Sequence, residues 1–153
     1  MPRLEAVTLE MRHAVISGRL RECDVREIRA ADGIPPDEAV RFCIGNTDDG
    51  WAFEADGDPW VILGAVGVQE RRGIIWLLGT DLIYDHPVWF HKTCARILDE
   101  VLRVRYDELF NWVGAENETS LRWLEALGFA ADKPEPFGAE GLPFRRIHWE
   151  RTV

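Results

Sequence analysis

The nine residues from Trp60 to Val68 (WVILGAVGV) carry no charge and no strongly polar group, and they constrain the fold more than any other stretch of the chain. The run is far short of the roughly 20 apolar residues that span a bilayer. Its length and β-branched content suit a strand. A strand that is apolar at successive positions has to be covered on both faces, so helices must lie above and below it. Asp56-Gly57-Asp58, just before it, is a hairpin turn, which makes Trp51 to Ala55 an antiparallel neighbour. Arg71-Arg72-Gly73 turns the chain again, into a second apolar strand at Ile74 to Leu78 (IIWLL).

The covering helices are visible in the spacing. In Leu20 to Ala31, the residues Leu20, Cys23 or Asp24, Glu27 and Ile28 fall on successive turns, and Asp32-Gly33 ends that helix. Pro35-Pro36 opens a second helix over Asp37 to Ile44, because proline fits the first helical turn. The loop Gly45 to Gly50 follows. Pro87 begins a longer helix, with apolar residues at Phe90, Cys94, Ile97, Leu98, Val101 and Leu102, and Asp99 can pair with Arg103 on its outer side. Asp85 is the expected N-cap of that helix. Leu109 to Val113 is a short strand. A helix capped by Asn117 or Thr119 runs to Leu127, and Gly128 closes it. Phe129 starts a strand, Pro134 to Pro143 is a long loop, and Phe144 to Thr152 is the last strand. A first strand is expected at Ala6 to Glu10. The class is α/β (α+β), a mixed sheet with helices on its faces.

Composition excludes several roles. Eighteen basic residues against 27 acidic ones give a net charge of −9, without a Lys/Arg run. Surfaces that hold nucleic acid or anionic membranes are basic, so neither partner is expected. The N-terminal MPRLEAVTLEMRHAV lacks the apolar segment of a signal peptide. Cys23, Cys43 and Cys94, odd in number and widely spaced, read as free thiols of a reducing compartment. A chain of 153 residues buries about two-thirds of its unfolded surface, so one domain over 1–153 is expected. The seven tryptophans imply bulky core layers or an apolar contact surface.

The element order resembles the GNAT acyltransferase fold. Asn117-Glu-Thr-Ser120-Leu-Arg-Trp123-Leu124-Glu-Ala-Leu-Gly128-Phe129 is similar to that family's "Asn-x-x-Ala/Ser … Leu-Tyr-x-x-x-Gly-Phe" segment. Four further segments resemble a family of phage proteins that includes the internal virion protein A of short-tailed phages. They are Arg21-Glu-Cys-Asp-Val-Arg-Glu-Ile28, Trp76-Leu-Leu-Gly-Thr-Asp81, Asn111-Trp-Val113 and Gly141-Leu-Pro-Phe144. That resemblance implies a virion or morphogenesis role, in the cytoplasm of a bacterial host or in the particle.

GNAT enzymes hold the coenzyme A pyrophosphate on backbone amides in an Arg/Gln-x-x-Gly-x-Gly/Ala loop at a helix N-terminus. The equivalent stretch here is Gly79-Thr-Asp81-Leu-Ile-Tyr84-Asp85-His86-Pro87. It keeps one glycine, places two carboxylates where a polyanion would come, and loses an N–H at Pro87. Two unit charges about 5 Å apart repel by about 3 kcal/mol at an effective dielectric near 20. The family's thiolate-protonating tyrosine falls at Leu124, which transfers no proton. The expectation is a degenerate GNAT fold without a cofactor, acting on other virion or host proteins through an aromatic at Trp89 or Phe90. The alternative is an acetyl-CoA-dependent N-acetyltransferase with a non-standard loop. Its candidate bases are Glu54, Asp81 and His86, and its candidate cofactor contacts are Leu78, Gly79, Thr80, His86, Asn117 and Ser120. His86, His91 and Cys94 lack the further ligands of a zinc site, so no metal is expected.

Overall fold

The computed structural model describes residues 3–6, 16 and 18–152. Two helices, α1 (Glu22–Asp32) and α2 (Pro36–Asn46), follow the first strand, β1 (Arg3–Ala6). A meander comes next, β2 (Asp49–Ala55), β3 (Asp58–Val68) and β4 (Arg72–Gly79). A 3₁₀ turn at Asp81–Asp85 leads into α3 (Pro87–Ile97). The chain closes with β5 (Glu108–Gly114), α4 (Glu118–Ala126), β6 (Ala130–Ala131), β7 (Glu135–Phe137) and β8 (Leu142–Glu150). The strands form one mixed sheet in the order β1-β2-β3-β4-β5-β8-β6, with β7 also paired to β8.

The apolar run behaves as its composition requires. Val61, Leu63 and Ala65 of β3 point into the larger core cluster with Phe90, Cys94 and Ile97 of α3 and Leu121 and Leu124 of α4. Ile62 points the other way, into a cluster with Ile28 of α1 and Ala39 and Val40 of α2. Helices therefore cover both faces. Gly33 ends α1 at φ 65° and donates its N–H to the Ile28 and Arg29 carbonyls, the left-handed stop read from Asp32-Gly33.

Beyond Ala6, the strand expected at Ala6 to Glu10 lies outside the described residues, and the strand that is described is Arg3–Ala6, antiparallel to β2. Two local expectations need correction. His86, not Asp85, occupies the N-cap of α3, without a side-chain bond, because Asp85 is drawn into the 3₁₀ turn. The Pro134 to Pro143 stretch is not all loop, since Glu135, Pro136 and Phe137 pair with β8. One feature was not expected. After Ile97 the helix widens into a π-helical segment, Leu98–Leu102. Asp99 and Arg103 form their ion pair across it at 2.6 Å.

Candidate active site

The site arises where the sheet comes apart. β4 and β5 run parallel and are paired at Arg72↔Glu108, Gly73↔Leu109 and Ile74↔Phe110 only. Beyond Ile74 the two strands diverge, while β4 stays paired to β3 as far as Gly79 and β5 to β8 as far as Gly114. One edge of each strand thus faces a gap. The Asn111 amide donates to the Ile75 carbonyl at the fork. The gap opens into a cleft of about 340 Å³ that runs from α1 on one side of the sheet to α3 and α4 on the other.

The polar groups of this cleft gather on its α1 side. Arg21 makes a bidentate pair with Asp24 at 3.0 and 3.1 Å, and Asp24 also accepts the Gly79 N–H at 3.0 Å. One turn on, Glu27 Oε1 accepts from the Gly114 N–H and from Asn117 Nδ2, both at 3.0 Å. Burial, the largest influence, holds the Glu27 carboxyl above its usual pKa, against the opposing pull of those two bonds. Asn117 Oδ1 accepts the Ser120 N–H at 3.3 Å, which caps α4. A carboxylate of raised pKa at the end of a largely apolar cleft is suited to taking a proton from an amine.

A parallel pair that splays after three residue pairs, with a helix following each strand, can be compared with solved structures. The ribosomal-protein-S18-alanine N-acetyltransferase from Escherichia coli superimposes with a TM-score of 0.71 at 14% identity, covering 100% of this chain and 96% of that one. The spermidine N-acetyltransferase from Vibrio cholerae, in complex with CoA and spermine, gives 0.64 at 14% identity, covering 97% and 95%. The IAA acetyltransferase from Bacillus cereus gives 0.66 at 10% identity, covering 99% and 100%. The chain has the GNAT fold. Its sequence matches no family model and no curated protein.

Within that GNAT fold, the residues expected to form the site separate into two groups. Asn117 and Ser120 line the cleft. Leu78, Gly79 and Thr80 are engaged elsewhere. Leu78 packs into the α1/α2 core. Gly79 gives its N–H to Asp24, accepts the Arg21 N–H on its carbonyl, and would bring a Cβ within 2.5 Å of Ile83. Thr80 donates both its N–H and its hydroxyl to the Trp60 carbonyl. Of the candidate bases, Glu54 is buried in β2 beside a bulge, away from the cleft. Asp81 is exposed and lines a separate open bay with Arg19, Thr80 and Asp85. His86 sets its ring 5.5 Å from that of Trp60, tilted by 52°. None of the three lines the cleft between β4 and β5.

Leu124, where the resemblance puts the GNAT tyrosine, is buried and lines the cleft, as does the exposed Tyr84. Of Trp89 and Phe90, the first is half-buried and the second buried. Phe90 is buried, stacked at 5.0 Å on Trp123, and Trp89 packs edge-on against Phe53 at 5.1 Å. Val88, in the first turn of α3, is an exposed large apolar residue beside them. His91 Nδ1 accepts from Trp123 Nε1, Cys94 is a buried thiol raised well above its usual pKa by burial, and no metal-ligand group occurs among the described residues. No helix among them is long and apolar enough to cross a membrane. Arg21, Asp24, Glu27 and Asn111 were missed as site residues. Their signal was present, because Asp24 and Glu27 share the apolar side of α1 with Ile28, and a buried helix face seldom carries two carboxylates without a task.

Proposed function

We propose that this chain is an N-acyltransferase whose acyl donor is a coenzyme A thioester, with the pantetheine arm lying in the cleft between β4 and β5. The observation that carries this reading is the fork after Ile74. It leaves the edges of two strands facing each other across a 340 Å³ space, and an extended arm with amide groups can lie along an open strand edge as an added strand does. The likeness to solved acetyltransferases, the Vibrio cholerae enzyme in complex with CoA and spermine among them, supports it.

The thioester fits the cleft better than the diphosphate fits the turn. The exposed carboxylates Asp81 and Asp85 oppose a polyanion. Arg19 in the same bay, together with the Val88 and Trp89 amides at the start of α3, would have to hold it. When bound, the thioester supplies an acyl carbon open to attack by an amine. The residues of the chain do the rest. Glu27 accepts the proton of the attacking amine, and Gly114 and Asn117 fix the Glu27 carboxylate in place. Arg21 and Asp24 brace α1 against the end of β4. As the amine displaces the thiolate, the phenol of Tyr84, which lines the cleft, gives that thiolate its proton in place of the tyrosine absent at Leu124. The test is release of free thiol from acetyl-CoA and from longer acyl-CoA thioesters in the presence of a panel of primary amines. Amine-dependent release supports the reading, and none with any amine counts against it.

The acidic turn and Leu124 favour one other reading, a non-catalytic protein that acts through protein contacts. On that reading the exposed Tyr84 and Val88 form the contact, and acetyl-CoA leaves thermal stability unchanged.

A further inference from the structure

The cleft is much deeper than an acetyl group requires. Its polar groups sit at the α1 end. The other end, under α3 and the π-helical segment, is walled by Cys94, Leu98, Leu102, Leu127, Phe129 and Ile147. These residues belong to the core and are hidden from solvent, Ile147 at 1% and Leu102 at 3% exposure, yet they border open space. Close-packed interiors seldom leave such voids. For scale, an engineered apolar cavity of about 150 Å³ holds benzene, and the whole cleft, the part assigned to the pantetheine arm included, measures about 340 Å³. A second observation falls at the same place. The helix loses its α geometry at Leu98–Leu102, and both end residues of that segment line the space. Single π-helical turns are frequent at functional sites.

We infer that the deep end of the cleft holds an unbranched aliphatic acyl chain, so that the donor carries a medium-length acyl group rather than acetyl. The inference rests on the acyl-thioester reading above and names its substrate class. The carbonyl end of such a chain stays near Glu27 and Asn117, and the methylenes pass under Leu98 and Leu102 to end among Leu127, Phe129 and Ile147.

Calorimetric titration of the wild-type protein with acetyl-, butyryl-, hexanoyl- and octanoyl-CoA tests it, alongside free octanoate as a probe without the coenzyme. Each methylene moved from water to an apolar site is worth about a fourfold gain in affinity. The expected series tightens at about that rate as far as octanoyl, and Cys94→Phe or Leu102→Phe, which fill the deep end, flatten it. If either variant fails to fold, the wild-type series decides alone. Equal affinity for acetyl- and octanoyl-CoA would overturn the inference and leave the coenzyme reading standing. Binding of octanoate without binding of any CoA thioester would keep the chain site and remove the coenzyme. Binding of neither would remove both.

Discussion

Glu27 reaches out of α1 to the end of β5, where its Oε1 accepts two hydrogen bonds and its carboxyl is held above the ordinary 4.5, burial being the largest cause. Glu27→Gln keeps an acceptor for both donors and removes the base. It is expected to lower kcat/KM by about 10²-fold or more and to abolish the acidic limb of the pH–rate profile. An unchanged profile would take Glu27 out of the chemistry. The same group leaves a mark on stability. Its proton is bound more tightly in the folded chain than in the unfolded one, so its contribution is fully present below 4.5 and is lost as pH rises through the raised folded value. Glutamine does not titrate. Urea unfolding between about pH 4 and about pH 8 should therefore show the variant gaining on the wild type as pH rises. At the turn, Asp81→Asn with Asp85→Asn removes two like charges from the path of a diphosphate, and the Kd for acetyl-CoA should tighten about tenfold or more.

At the scale of elements, the coupling of α1 to the end of β4 runs through Asp24. This carboxylate is buried at 6% exposure and satisfies both the Arg21 guanidinium and the Gly79 amide. Asp24→Ala leaves both stranded, and the expected loss is about 3–5 kcal/mol. Chemical denaturation should show it as a lower midpoint at unchanged slope. How far the sequence disclosed these elements depended on the range of the interactions behind them. The hairpin at Asp56-Gly57-Asp58, the Gly33 stop and the Asn117 cap are set by neighbours along the chain, and they could be read from it. The fork after Ile74 could not, because it depends on where two strands more than 30 residues apart stop pairing. That is why Leu78, Gly79 and Thr80 were expected in the site. Being next to the turn in sequence, they seemed available, while their polar groups were already committed to Asp24, Arg21 and Trp60.

For the molecule as a whole, alternate residues of one apolar strand serve two cores, and the continuous run at Trp60 to Val68 announced that layering. The functional class was harder to see. A turn with two carboxylates and a leucine in place of tyrosine argue against an acetyl-CoA enzyme when read in sequence. The folded chain nevertheless retains an open cleft with a carboxylate of raised pKa at one end. The resemblance to phage virion proteins gains no support from the acetyltransferase structures that share the fold. The claim that the fork between β4 and β5 is a thioester site is tested most directly by calorimetric titration of the intact protein with acetyl-CoA. Saturable binding below about 1 mM, with thermal stability rising as the logarithm of ligand excess, is the predicted result. No heat of binding and no thermal shift at several times that concentration would contradict it.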